Sequence, residues 1–216
     1  NMATLLCFIT TDADIDAKAL KGSLKEAVED SLNMVTVDGD MSTNDTVFIL
    51  ANGLAANKRI KSGSNDHEIF CAALKYVMVY LAKEIAKDGE GASKFIEVRI
   101  KGAKSKVDAK KIAMEIANSN LVKTAIAGED PNTGRIASSA GASGVKINES
   151  KLDIYLNGIK IVSGGNANFG LRPKAQKSLK KKETVITVDL KSGKYSATAW
   201  TCDLTEGYIK INARYN

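Results

Sequence analysis

Apolar positions recur along this chain with two periods, and those periods predict most of its elements. A β-favouring apolar run starts directly after Thr4 and stops at Asp12, which predicts a strand. Residues 16–32 then carry Leu20, Leu24, Ala27, Val28 and Leu32 at helical spacing with charges between them, an amphipathic helix. Residues 34–37 read as a short strand, and residues 38–45 are dense in turn formers. Residues 47–51 form the next strand, closed by Asn52-Gly53. A Lys-, Ser- and Gly-rich linker over 57–65 leads into the longest helix, residues 66–87, with Ile69, Phe70, Ala73, Leu74, Val77, Met78, Leu81 and Ile85 on its apolar face. Gly89 stops that helix in the usual C-terminal manner.

Further on, residues 95–100 alternate as a strand, and residues 107–118 form a helix with Ile112, Ala113, Ile116 and Ala117 inward. Residues 121–127, with few charges, read as a strand; a turn-rich loop over 128–135 leads to a short helix at 136–140. From Leu152 the pattern is mainly β: 152–156, an Asn157-Gly158 turn, then 159–162. A second hairpin joins 184–190 to 195–201 around Ser192-Gly193, and the tail is a short helix or an irregular crossing. This order predicts α+β architecture with mixed β-sheets packed with helices, not a doubly wound sheet. A subdivision into an α/β part, 1–145, and a β-rich part, 146–216, follows from the same order.

Composition narrows the chemistry. At 44% hydrophobic and 26% charged, the 216 residues form a globular mixture, and no apolar run is long enough to span a bilayer. No segment pairs a basic start with an apolar core and a cleavage site. Because Asn1 is not an initiator methionine, we expect a processed product or a fragment. Cys7, Cys71 and Cys202 are far apart, with no C-x-x-C spacing, so free thiols in a reducing cytoplasm are expected. His67 is the only histidine, too few for a His-ligated metal site and without an evident acid partner for a Ser-His-Asp arrangement. The net charge of +6 owes part of its excess to the lysines of residues 174–182; no aromatics interleave there as a stacking platform requires, so the run reads as a solvated loop or, failing that, a weak patch for an anionic partner. No G-x-G-x-x-G or P-loop is present.

Four features carry candidate chemistry. Thr4 sits at the mouth of the first strand: it either begins that strand only, or serves as an N-terminal nucleophile whose own α-amine, with a pKa near 8, is the base. The hydroxyl, amide and carboxylate groups of 38–45 either cap backbone or wall a polar site. Glu90 stands between Gly89 and Gly91, as an exposed turn residue or as a carboxylate with approachable backbone on both sides. Arg135 can bind a carboxylate bidentately or pair locally.

Ordered motifs along the whole chain resemble one family. Asn1-Met2-Ala3-Thr4-Leu5-Leu6 is similar to the self-cleavage segment of the ornithine acetyltransferases (glutamate N-acetyltransferases). Residues 36–40 and 42–46, Asp88-Gly89-Glu90-Gly91-Ala92-Ser93-Lys94, Leu121-Val122-Lys123-Thr124-Ala125, and residues 130–135 resemble further motifs of that family, as do Cys202-Asp203-Leu204-Thr205 and Ile211-Asn212-Ala213. The resemblance implies an N-terminal-nucleophile-like fold. It also implies a precursor that cuts itself between Ala3 and Thr4, and makes this chain the β chain beside an upstream α chain in an α₂β₂ assembly.

The same resemblance implies the reaction. Thr4 takes the acetyl group of N2-acetyl-L-ornithine and passes it to L-glutamate in arginine biosynthesis. Glu90 holds the cationic amine of ornithine, and Asn212 binds substrate through an amide that both donates and accepts. No cofactor or metal is implied; acetyl-CoA enters as a substrate only if the enzyme is bifunctional. Oxyanion donors are expected in the α chain. Neither nucleic acid nor membrane is an expected partner, and the cytoplasm is the expected location. Two departures stand out: Asn216 ends one residue short of a further binding position, and Thr133 replaces a common tryptophan, through either lost aromatic packing or an altered subunit contact. The alternatives are a self-processed amidohydrolase or aminopeptidase that uses water as acceptor, and a non-catalytic subunit retained for assembly.

Overall fold

Two sheets of unequal size organise the chain in the computed structural model, which describes residues 3–214. They fall in two compact units. The first unit takes residues up to Val35 together with Asp40–Ala82; the second takes Thr36–Gly39 and residues from Lys83 onward. The sequence-based division at 145/146 is not the one these contacts draw, because a strand from before residue 145 lies inside the larger sheet.

The first unit pairs β1 (Leu6–Thr11) in parallel with β2 (Thr46–Ala51), Phe8 opposite Phe48. Leu6, Phe8, Phe48 and Leu50 share one face and are exposed, the two rings stacked with centroids 5.8 Å apart. Helix α1 (Ala17–Glu29) starts at Asp16, whose carboxylate accepts from Lys18 N. The small residues Ala19, Ser23 and Ala27 make its buried line, with the expected Leu20, Leu24 and Val28 flanking it half-buried. In helix α2 (Asn65–Lys87) Leu74, Met78 and Ala82 are buried, while Ile69, Tyr76, Val77 and Tyr80 leave a second apolar stripe exposed. Residues 34–37 are not a strand: Met34 closes a 3₁₀ turn, Leu32–Met34, by donating to Ser31 O.

The second unit is built on a six-stranded sheet. Its strands are β3 (Phe95–Ala103), β4 (Asp153–Leu156), β5 (Ile159–Ser163), β6 (Asn166–Ala167), β7 (Glu183–Asp189) and β8 (Tyr195–Cys202), in the order β6-β5-β4-β7-β3-β8. Only β3 and β7 run parallel. Helix α3 (Lys106–Asn118) covers one face; its Ile112, Ala113, Ile116 and Ala117, together with Ile96, Val98 and Ile100 of β3, are fully buried. The remaining helices are α4 (Asn120–Ala127), α5 (Thr133–Ala142), α6 (Arg172–Ser178) and α7 (Glu206–Asn212).

Three expectations change here. Residues 121–127 are helical: Ser119 caps them, accepting from Val122 N, and burial falls on Val122, Lys123, Ala125 and Ile126, a helical spacing. β7 and β8 are not a hairpin, since β3 lies between them. The chain turns around the end of β3, where a Cβ on Gly193 would overlap the Ala103 carbonyl oxygen. Part of the lysine run is helix α6, anchored by buried Ala175 and Leu179, although Lys177, Lys180, Lys181 and Lys182 remain exposed. The Asn157-Gly158 turn is as expected, both residues at positive φ between β4 and β5.

Candidate functional site

In the first unit, Thr4 is exposed between buried Ala3 and buried Leu5. The polar loop of residues 42–46 holds the backbone next to it. Asp45 accepts from Leu5 N at 3.1 Å and from Ser42 N at 3.1 Å, and Thr46 N donates to Leu5 O. These groups cap backbone, and in doing so they set the entry of β1 and the position of Thr4. The chain carries Ala3 ahead of Thr4, so Thr4 here has an amide in place of a free α-amine. Asn1, Met2 and Asn216 lie outside the described residues.

In the second unit, residues 88–94 form a loop clamped onto residues 202–207. Asp203 accepts from Ser93 N at 2.8 Å, Lys94 N at 2.9 Å and Ser93 Oγ at 2.5 Å. Thr205 Oγ donates to Gly91 O at 2.6 Å and accepts from Gly207 N, capping α7. Both glycines are needed. A Cβ on Gly89 would lie 2.6 Å from Cys202 Sγ; one on Gly91, at φ +66°, would overlap Tyr208 N and lie 2.5 Å from the Gly207 carbonyl carbon. Gly89 thus serves close packing, not helix termination, and the positive φ falls on Gly91. The clamp holds Glu90 exposed beside α7, where Asn212 Nδ2 donates to Glu90 Oε2 at 2.7 Å and to Tyr208 O at 3.1 Å. Two residues 122 positions apart therefore meet.

Beneath this loop lie two lysines that sequence reasoning did not single out. Lys123 is fully buried; its Nζ donates to Val37 O, to Thr201 Oγ1 at 2.9 Å, and points at Cys202 Sγ at 3.9 Å. Burial pushes the Lys123 ammonium down from its ordinary pKa and the Cys202 thiol up. Lys94 reaches Leu179 O at 2.7 Å, Glu129 at 3.1 Å and Ile126 O at 3.3 Å. The available signal for Lys123 was a lone charge inside an apolar run, residues 121–127.

Other candidates resolve differently. His67 Nδ1 accepts from Gly63 N at 3.3 Å, which assigns the proton to Nε2; Nε2 faces Ser23 Oγ at 3.0 Å, while that hydroxyl donates to Ala19 O. With its proton on that side, His67 is not a base for Ser23 or for Cys71, 3.6 Å away. Arg135 pairs locally, with Leu121 O and Thr124 Oγ1. Thr133 opens α5 at the wall of a cleft of about 580 Å³ that also contains Ala137, Leu152 and Val162. No group of three or more His, Cys, Asp or Glu poised for a metal occurs among the described residues. Likewise, among them no helix is long and apolar enough to cross a membrane.

The α+β fold that presents this pair is shared with a solved structure. A chain of the crystal structure of an arginine biosynthesis bifunctional protein ArgJ from Bacillus halodurans superposes with a TM-score of 0.95 at 42% identity, covering 98% of this chain and 100% of that one. The sequence matches the ArgJ family over residues 1–216, and the chain belongs to that family. Among curated proteins, the arginine biosynthesis bifunctional protein ArgJ of Symbiobacterium thermophilum is 50% identical over 215 residues, and that of Caldanaerobacter subterraneus subsp. tengcongensis 48% over 219. Each alignment takes 100% of this chain and 54% of the relative, so the chain spans about half the length of the curated relatives it matches.

Proposed function

We propose that this chain is the β chain of an acetyltransferase that moves the acetyl group from N2-acetyl-L-ornithine to L-glutamate in arginine biosynthesis. The observation that carries the reading is the Asn212–Glu90 hydrogen bond, which unites the two residues that the family resemblance assigns to substrate binding. The relatives are arginine biosynthesis bifunctional proteins, which supports the pathway and supports acetyl-CoA as a second acetyl donor. The reaction draws on no other cofactor. The solved Bacillus halodurans chain is matched along its entire length, which supports a precursor divided into two polypeptides.

In this reading Thr4 Oγ attacks the Ala3 carbonyl carbon, the acyl group shifts from Thr4 N to Oγ, and water hydrolyses the ester. The Thr4 amine so freed is the general base, poised near neutral pH. It takes the Oγ proton as Oγ attacks the acetyl carbonyl of the donor; ornithine leaves with that proton, and an acetyl-threonine ester remains. The amine of glutamate then attacks this ester and regenerates Thr4, a ping-pong sequence. Glu90, a carboxylate presented to solvent, binds the cationic amine of ornithine, and Asn212 fixes its orientation. The α chain of the same precursor supplies the oxyanion donors, each worth roughly 3 kcal/mol to the transition state, and an α₂β₂ assembly forms in the cytoplasm.

The test is the intact mass of this chain after co-expression with its upstream segment, followed by acetyl release with and without glutamate. A mass beginning at Thr4 and release that depends on glutamate are expected. A mass retaining Ala3 sinks the mechanism; release to water alone turns the reading to an amidohydrolase.

A further inference from the structure

The second unit contains a buried cation that the proposed reaction does not use. Lys123 is 1% exposed and, among the described residues, is given no carboxylate partner at bonding distance; its ammonium is spent on a backbone carbonyl, a hydroxyl and the neighbourhood of a thiol. Desolvating a lysine for such partners is costly, and a methionine or leucine would fill the space without that cost. What the lysine holds supplies the reason. Val37 and Cys202 are the two side chains on which Gly89 packs, with so little room that a Cβ there would meet both. Glu90 is the next residue. On the other side, Asp38 follows Val37 and accepts from Tyr208 OH at 3.0 Å, and Tyr208 O accepts from Asn212 Nδ2.

We propose that Lys123 is a positioning residue that sets the Glu90–Asn212 pair from below, through Val37 and Cys202 to one member and through Asp38 and Tyr208 to the other. The proposal rests on the substrate-binding role of Glu90 given above. Lys123 touches no substrate; it fixes the floor against which the Gly89–Gly91 loop and α7 are registered. Helix α4 is rigid enough for the task, capped at Ser119 and buried along Val122, Ala125 and Ile126.

Three variants of the co-expressed two-chain enzyme test it: K123M, T201V and K123M combined with E90Q. K123M is expected to raise KM for N-acetylornithine roughly tenfold, the scale of a sub-ångström to ångström misplacement, while self-cleavage at Thr4 runs to completion. T201V, which removes one acceptor at constant volume, shows the same change more weakly and carries the test if K123M fails to fold. Because Lys123 acts in part through Glu90, K123M and E90Q together raise KM by less than the product of their separate effects, whereas independent effects would multiply in full. Amide exchange at residues 89–92 and 207–212 speeds up in both single variants, and this readout needs no turnover. Unchanged KM and exchange in both, or full multiplication in the double variant, overturns the proposal. A wild-type enzyme that transfers no acetyl would instead overturn the functional reading, and the exchange result would still decide the role of Lys123.

Discussion

The two units differ in how completely they bury their own apolar residues. In the second, Ile96, Val98 and Ile100 of β3 and Ile112 and Ile116 of α3 are 0% exposed, and the sheet has a helical cover. In the first, Phe8 is 68% exposed, Leu50 63% and Tyr76 76%. Its sheet is a parallel pair of strands, an arrangement almost never found with faces open and not stable on its own in water. Patches of this kind mark surfaces meant to be covered. The difference lies in the sheets: the second unit also exposes Phe169, Leu121 and Ile209 outside its sheet, but the two-stranded sheet of the unit bearing Thr4 leaves a whole apolar face open. A chain that spans about half of its relatives' length fits that contrast.

Predictions follow from the contrast, the largest first. Thr4→Ala abolishes self-cleavage and lowers transfer by at least about four orders of magnitude, yet thermal stability stays within about 0.5 kcal/mol because the side chain is exposed; retained transferase turnover would remove Thr4 as nucleophile. Gly91→Ala acts in the opposite sense: positive φ and overlap with the Gly207–Tyr208 backbone cost roughly 2–4 kcal/mol, read as a lower melting temperature together with a higher KM. Glu90→Gln leaves stability nearly unchanged and raises KM for N-acetylornithine roughly tenfold, the value of one charge-assisted hydrogen bond; an unchanged KM rejects its binding role.

Asp153→Asn is the smallest and is confined to stability. Asp153 is buried and takes Lys191 at 2.7 Å, Lys160 at 2.9 Å and Gly164 N at 2.8 Å. The hydrogen bond from Lys191 leads the interactions that hold its carboxyl well below the usual carboxylate range. A depressed folded-state pKa stabilises the fold above the unfolded value of about 4 and loses that contribution as pH falls below it. The variant should therefore melt earlier by roughly 1–2 kcal/mol at pH 7 and converge with the parent in strong acid. Parallel melting curves across pH 2–7 would count against the assignment.

The sequence made β1, β2, α1, α2 and α3 legible because each carries one clear period over enough residues. It misled where two periods fit one short run: residues 121–127 hold a single charge and otherwise read as a buried strand would, and the Ser119 cap and the inward Lys123 mark them as helix. Long-range order was out of reach for a different reason. Nothing local in 184–201 tells that β3 separates β7 from β8; only the room Gly193 leaves at the end of β3 hints at it. At the site, Thr4 and Glu90 stood out locally, as a hydroxyl at a strand mouth and a carboxylate between glycines, and Asn212 only by motif resemblance, whereas the clamp that joins Glu90 to Asn212 depends on contacts between residues 88–94 and 202–212. Lys123 left only a weak signal, a lone charge in an apolar run, because the burial of a cation is decided by contacts distant in sequence.

The central place of β3 also has a consequence for synthesis. Its partners in the sheet begin at Glu183 and Tyr195, far downstream of Phe95. At roughly 5–20 residues per second on the ribosome, β3 leaves the exit tunnel several seconds before either neighbour exists. During that interval both of its edges are open, and α3 is the nearest element in sequence able to shield its apolar side. A nascent chain stalled between residues 120 and 180 should therefore be the form that chaperones hold and that aggregates when they are scarce.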